Sequence, residues 1–198
     1  MSLVAAFIGI SGSVVAGDMR EIILWGDFPR SDRFEEELYS GQIRTDEEMH
    51  RRARELGIRL GVRDTKRKVW ERDGVLIGEV SDFEHGLVRK RRLYVTTGRY
   101  ALAEIEGSRF SLNQRGEASR FVVLGNPFTQ QIANRCIRER WQSGGYIEAA
   151  HLVQEIMKEA ARKSASVSRE HVLLRTIDTV DLDPLIERDQ GRALFGKE

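Results

Sequence analysis

From position 2 the chain reads Ser2-Leu3-Val4-Ala5-Ala6-Phe7-Ile8-Gly9, then Ile10-Ser11-Gly12, then Ser13-Val14-Val15-Ala16-Gly17-Asp18-Met19-Arg20. Two apolar runs flank a turn of glycine and serine, which predicts a β-hairpin with residues 3–8 paired to residues 13–16. Neither run alternates between apolar and polar. Continuous apolar character fits strands buried on both faces, in the middle of a layered fold. A secretory leader is the competing reading, because residues 1–17 carry no charged side chain and Ala16-Gly17 imitates a cleavage site. No Lys or Arg precedes the apolar stretch, and Gly9, Ser11, Gly12 and Ser13 interrupt it, so the hairpin is the better reading.

Working outward, the chain has 198 residues. That is enough for one domain, or one domain with a large insertion, and for a core that needs no staples. Hydrophobic residues make up 40% and charged residues 32%, a globular composition. Lys plus Arg is 32 against 31 for Asp plus Glu, a formal charge of +1. Global electrostatics therefore give no reason to expect a nucleic acid or an anionic membrane as partner. The single cysteine, Cys136, excludes an intrachain disulfide and fits a reducing, cytoplasmic setting. No apolar run approaches the ~20 residues of a membrane helix.

Residues 30–62 change character. They are charged and helical in pattern, with an acidic helix over residues 32–40. A second helix starts at the capping box Thr45-x-x-Glu48 and stops at Gly57. The block reads as a helical insertion between sheet strands. Strands are then predicted at residues 68–71, 75–80, 93–97, 100–106 and 120–124, punctuated by Gly74, Gly98, Gly107 and Gly116. Phe128, Ile132, Cys136 and Ile137 share one face of a helix ending near Trp141, and a second, Ala-rich helix spans residues 146–163. A strand at residues 171–177 and a charged helical tail from Asp183 complete the chain. Hairpins with few crossover helices argue for an α+β architecture of antiparallel sheets with helices packed outside.

Most familiar chemical motifs are missing: no G-x-x-x-x-G-K-[ST], no G-x-G-x-x-G, no H-E-x-x-H and no C-x-x-C. His50, His85, His151 and His171 are scattered, so no metal is expected. Cys136 reads as a buried structural thiol. Arg89-Lys90-Arg91-Arg92 reads as a solvated turn. Ser2 is the exception. A small second residue permits removal of Met1, which leaves a serine with a free α-amine. Such a residue carries nucleophile and base together, because an α-amine of pKa about 8 is substantially neutral near neutral pH.

Ser2-Leu3-Val4 followed by Val15-Ala16-Gly17-Asp18-Met19-Arg20 resembles the opening hairpin of proteasome β-subunits and their N-terminal-nucleophile relatives. Those proteins head the first strand with threonine and end the second with an acid, commonly followed by a basic residue. The spacing from Ser2 to Asp18 is the proteasome spacing from nucleophile to acid. Lys66-Arg67-Lys68-Val69-Trp70-Glu71-Arg72-Asp73 resembles the strand that carries the family's lysine, with Lys68 the best match and Lys66 the fallback. Gly78, within Val75-Leu76-Ile77-Gly78-Glu79, is an approximate match to the oxyanion glycine. The resemblance implies an αββα sandwich of antiparallel sheets.

The opening, together with Phe34-Glu35-Glu36-Glu37-Leu38-Tyr39-Ser40-Gly41, Gly78-Glu79-Val80 and the Gly125-Asn126 turn, looks more specifically like connectase, a proteasome-related family of methanogenic archaea. The helical insertion belongs to that likeness. It implies a monomeric protein ligase without cofactor or metal. Such an enzyme cleaves a Lys-Asp-Pro-Gly-Ala motif after Asp, holds the upstream part as an amide on its N-terminal residue, and passes it to a new Pro-Gly-Ala amine. The implied partner is a subunit of a methyltransferase complex. Two departures stand out: serine replaces the better-known threonine, and family members usually add a small C-terminal domain beyond a chain of this length. On this resemblance Ser2, Asp18 and Lys68 are the catalytic candidates, with Gly78, Arg20 and Lys66 in support. The rivals are an N-terminal-nucleophile peptidase or amidase, and a non-catalytic proteasome-like module.

Overall fold

The computed structural model describes residues 3–84 and 87–195. β1 (Leu3–Gly9) and β2 (Gly12–Asp18) form the expected hairpin, with Phe7 opposite Val14 and Val4 opposite Gly17. All residues of both strands are buried. β1 pairs on its other side with β10 (Arg120–Gly125), and β2 with β11 (His171–Thr176), so the sheet runs β10-β1-β2-β11 and is antiparallel throughout. The hairpin therefore occupies the centre, and its side chains divide between two cores because strand residues alternate faces.

Leu3, Ala5, Phe7, Val14 and Ala16 face outward into a core built with α3 (Pro127–Arg140) and α4 (Tyr146–Lys163), through residues such as Ile132, Val153 and Ile156. Val4, Ala6, Ile8 and Val15 face inward to a second sheet, against Val69, Leu76, Val80, Leu93 and Val95. That sheet is a meander of β5 (Val69–Arg72), β6 (Val75–Glu84), β7 (Leu87–Thr96), β8 (Arg99–Glu106) and β9 (Arg109–Glu117). Its outer face carries Val75, Ile77, Tyr94, Ala101 and Ala103, which pack on Leu182, Leu185 and Ile186 of the segment leading into α5 (Asp183–Phe195) and of that helix itself. The layers are helix, sheet, sheet, helix. The expected antiparallel αββα sandwich is the fold observed.

The two sheets approach closely near the end of β2. A Cβ on Gly17 would lie 2.6 Å from Val69 Cγ2, and one on Gly78 2.6 Å from Val4 Cγ1. No side chain fits at either position without displacing its neighbours.

The insertion differs in part from the sequence reading. β3 (Glu21–Trp25), a strand not among those expected, leads to the two expected helices, α1 (Phe28–Tyr39), which starts earlier than residue 32, and α2 (Asp46–Glu55), and the Thr45–Glu48 capping box is formed. Residues 59–63 are not helical. They form β4 (Arg59–Arg63), paired antiparallel with β3. Phe34, Leu38, Ile43, Met49, Ala53 and Ile58 give this module its own small core, closed by Ala165 of the body.

Two further corrections concern the second sheet. Arg89-Lys90-Arg91-Arg92 is not a turn: it lies inside β7, opposite Asp82 to Glu79 of β6 and Glu106 to Ala103 of β8. Cross-strand acids such as Glu104 and Glu79 neutralise it. β9 was not expected at all, because its nine residues hold only two large apolar side chains. As an edge strand it is held by its ladder to β8 rather than by burial.

α5 is locked by one buried acid. Asp189 accepts hydrogen bonds from Arg72 (3.0 Å), Arg92 (2.6 Å) and the Tyr94 hydroxyl (2.9 Å). Removing one partner of such a cluster strands the others in a poorly solvated site. Asp189→Ala is expected to cost about 3 kcal/mol in urea unfolding. Asp183→Asn on the same helix, which loses only the exposed pair with Arg115, is expected to cost about 1 kcal/mol or less.

Candidate active site

The end of β2 delivers Asp18 into the seam between the sheets, with none of its surface exposed. Both of its oxygens accept hydrogen bonds. Oδ2 accepts from the Leu3 backbone N–H at 2.8 Å, and Oδ1 from the Arg20 backbone N–H at 2.8 Å and Lys68 Nζ at 2.7 Å. Asp18 thus ties the first described residue of β1 to the start of the second sheet.

Lys68 stands immediately before β5 and is almost wholly buried. Its ammonium also donates to the Arg20 carbonyl at 2.6 Å. An ammonium has three donors, so among the described residues one is uncommitted. The backbone carbonyl of Lys68 accepts from Glu79 N–H at 2.8 Å, which fixes the residue to β6. Burial pulls the Lys68 ammonium below its usual pKa, and attraction and hydrogen bonding from Asp18 oppose the shift. More distant charges also act: Lys66 lowers it and Asp64 raises it.

Arg20 is 7% exposed and uses every N–H of its guanidinium. Nε and Nη2 hold Asp64 at 2.8 Å each, Nη1 and Nη2 hold Asp46 at 2.5 and 3.2 Å, and Nη1 donates to the Ala165 carbonyl at 2.8 Å. These acids keep it charged, with a pKa raised further above its usual value. Asp46 opens α2 and Asp64 follows β4, so one side chain pins the insertion to the body.

The structure separates the sequence candidates. Asp18, Lys68 and Arg20 come together. Lys66 does not: it is half exposed and pairs with Glu21 at 2.8 Å. Gly78 pairs with Val69, packed on Val4 and Val15 inside the sandwich. Ser2 lies outside the described residues. Its chain neighbour Leu3 is the residue whose N–H reaches Asp18.

Three residues at the site escaped the sequence reading. Asp46, Asp64 and Ser168, whose Oγ accepts from Met19 N–H at 2.8 Å, come from distant segments; Asp46 lies within the capping box, which marks a helix start but not a partner for Arg20. A further group gathers between α1 and β6. Burial holds the Glu35 carboxyl above its usual pKa, with Asp82 adding repulsion, and the Tyr39 hydroxyl is raised for the same reasons. Asp82 Oδ1 is buried with no hydrogen-bond partner among the described residues.

A buried hairpin at the centre of one sheet, ending in an acid paired to a lysine at the head of the other, is the arrangement of the proteasome-like N-terminal-nucleophile fold. Within that class the chain belongs to the connectase family: the family model described as "Connectase MJ0548-like, N-terminal domain" matches residues 1–190. No curated protein matches. Among solved structures the chain is similar to eukaryotic HslV from Trypanosoma brucei, at 11% identity and TM-score 0.49, covering 88% of this chain and 98% of that one. It is also similar to an Anbu (Gly-1) mutant from Hyphomicrobium sp. strain MC1, at 13% identity and TM-score 0.47, covering 100% and 98%. The helical assembly of the Anbu complex from Pseudomonas aeruginosa follows, at 12% identity and TM-score 0.41, covering 98% and 93%. Membership sets the chain among enzymes related to peptidases and protein ligases. Among the described residues no helix is long and apolar enough to cross a membrane.

The sign of the Lys68 effect follows from its lowered pKa. Between the folded value and the ordinary 10.5 the unfolded chain binds more protons, so this group makes stability rise with pH across that window. Asp18→Asn removes the two largest influences that hold the proton on. The Lys68 Nζ resonance is then expected to titrate at lower pH than in the parent, with stability reduced by about 3 kcal/mol. An unchanged titration would show that Asp18 does not set the charge of Lys68.

Proposed function

We propose that the protein is a sequence-specific protein ligase that works through Ser2 once Met1 is removed. The observation that carries this reading is the buried Asp18–Lys68 pair, tied directly to Leu3 at the head of β1. In this reading the α-amine of Ser2 takes the hydroxyl proton, and Oγ attacks the carbonyl of the Asp in a Lys-Asp-Pro-Gly-Ala-type motif. The uncommitted donor of Lys68 meets the developing negative charge. The Asp–Pro C–N bond breaks, the proline nitrogen leaves with the proton, and an ester remains on Ser2. An O-to-N shift moves the acyl group to the α-amine and returns the hydroxyl. Reversal of the shift offers the ester to an incoming Pro-Gly-Ala amine, and the new peptide bond restores the enzyme.

Lys68 has no role as the base here. It is already hydrogen-bonded to two acceptors and is required charged. The motif's lysine needs a negative counterpart, and Glu35 with Asp82 supplies the right charge beneath α1. Engaging a cation there would favour the ionised carboxylate over the neutral form that burial promotes. The insertion, pinned by Arg20, serves to cover the acyl-enzyme, since a ligase must keep water away until the amine arrives.

The test is an intact mass spectrum before and after mixing with a Lys-Asp-Pro-Gly-Ala peptide. The expected result is a starting mass without Met1 and an adduct equal to the peptide through its Asp. That fragment is then expected to move to a second Pro-Gly-Ala peptide. Hydrolysis without transfer would select the peptidase reading, and neither cleavage nor adduct on a Met1-free chain would overturn both. Activity is further expected to fall at alkaline pH below the ordinary lysine value, as Lys68 loses its charge. In Asp18→Asn that limb is expected at lower pH.

A further inference from the structure

A cleft of about 420 Å³ opens between the start of α2, the C-terminal turns of α4 and the loop that follows them. Its charged lining is Arg20, Arg44, Lys158, Arg162 and Arg169, against Asp46 and Glu47. Not all of these charges are available. Arg20 and Asp46 neutralise each other in the clamp described above. Lys158 and Arg162 pair with Glu155 and Glu159 along their own helix, but both are about two-thirds exposed, and such pairs hold weakly.

The remaining two cations are different. Arg44 makes no ion pair among the described residues, and its Nε reaches only the Gly41 carbonyl at 3.4 Å. Arg169 is exposed and its side chain has neither an ion pair nor a hydrogen bond among the described residues. Of the two lining carboxylates, Asp46 is held by Arg20, while Glu47 has no ion pair among the described residues. The charge of Arg44 is partly offset by Glu48, whose carboxyl it helps to hold below its usual pKa, and a cleft concentrates the field of the positive charge that remains. Two guanidiniums facing one opening suit planar carboxylates, which they can bind through paired N–H donors.

The position of the cleft says what kind of carboxylate. Arg20 contributes its side chain to the cleft and its carbonyl to Lys68. The cleft therefore begins one side chain from the reaction centre. A protein chain lying across that centre would continue into it. Nucleic acid fits less well: no aromatic side chain lines the cleft to stack a base, and the chain's formal charge is only +1.

We propose that this cleft is a docking site for an acidic segment of the protein substrate, flanking the motif that is cut and joined. The inference rests on the ligase reading and adds to it a determinant of substrate choice outside the motif. Arg44 and Arg169 are the residues that read it.

The test uses two peptides with the same motif, one extended by a run of glutamates and the other by serine and glycine. Adduct formation is followed with the parent and with an Arg44→Glu, Arg169→Glu double variant, at about 50 and about 300 mM salt. The acidic extension is expected to raise kcat/KM about tenfold in the parent at low salt, and less at high salt. In the double variant that gain is expected to vanish, while the neutral peptide reacts at the parent rate. No gain in the parent, or a gain that survives the double variant, overturns the proposal. A labelled acidic peptide without the motif supplies a readout independent of catalysis. By fluorescence anisotropy it is expected to bind the parent and not the double variant, even if no motif peptide ever reacts. Tighter binding of a single-stranded oligonucleotide than of the acidic peptide would overturn the choice of partner.

Discussion

The Asp18 carboxylate is the constraint on which the rest depends. Its four-way position, between the Leu3 amide, the Arg20 amide, the Lys68 ammonium and the end of β2, joins the two sheets beside the close contacts at Gly17. A buried ion pair of this kind contributes little net stability, because desolvation offsets the attraction. What it fixes is geometry. Both oxygens are hydrogen-bonded, Oδ1 twice and Oδ2 once among the described residues, so the carboxylate is held in one orientation, and Lys68 cannot leave without removing its cationic partner. The glycines beside it serve the same end. Gly17 lets Lys68 and Val69 come down onto β2, and Gly78 lets β6 come down onto Val4. A larger residue at either place would lift the second sheet and lengthen the Asp18–Lys68 contact.

Much of this was legible in the sequence, and the reasons are specific. The central hairpin announces itself because strands buried on both faces need continuous apolar runs, and few other structures need them. α3 and α4 announce themselves by apolar stripes whose residues do face the outer core. β4 and β9 gave no such signal. Both lie at sheet edges and are held mainly by backbone ladders, so their side chains are free to be charged. The basic run in β7 misled for a related reason: its partners are acids on neighbouring strands, which no local window contains.

At the site, the family resemblance ranked Lys68 above Lys66, but periodicity alone does not separate them. Residues two apart share a face of an extended segment, so periodicity treats them alike. The choice is made by tertiary contacts, in which Lys66 turns outward to Glu21 and Lys68 inward to Asp18. The partners of Arg20 were beyond reach for the same reason. Asp46 and Asp64 lie 26 and 44 residues away, and the capping box around Asp46 signals a helix start rather than a contact with Arg20.

These partners change how the insertion should be understood. A decoration grafted between two strands would dock through apolar contact and leave the site's charges alone. Here its own core holds the helices together, while attachment to the body includes a saturated, nearly buried guanidinium. The attachment also reaches the lysine. Asp64, gripped by Arg20, is among the charges that favour the protonated form of Lys68, and Arg20's carbonyl is one of the two acceptors of that ammonium. Asp64 is the smallest of the influences on Lys68, behind burial, Asp18 and Lys66, so the charge of the lysine is set mainly by Asp18. What the insertion fixes, through Asp46 and Asp64, is the position of Arg20 and with it the carbonyl that Lys68 holds.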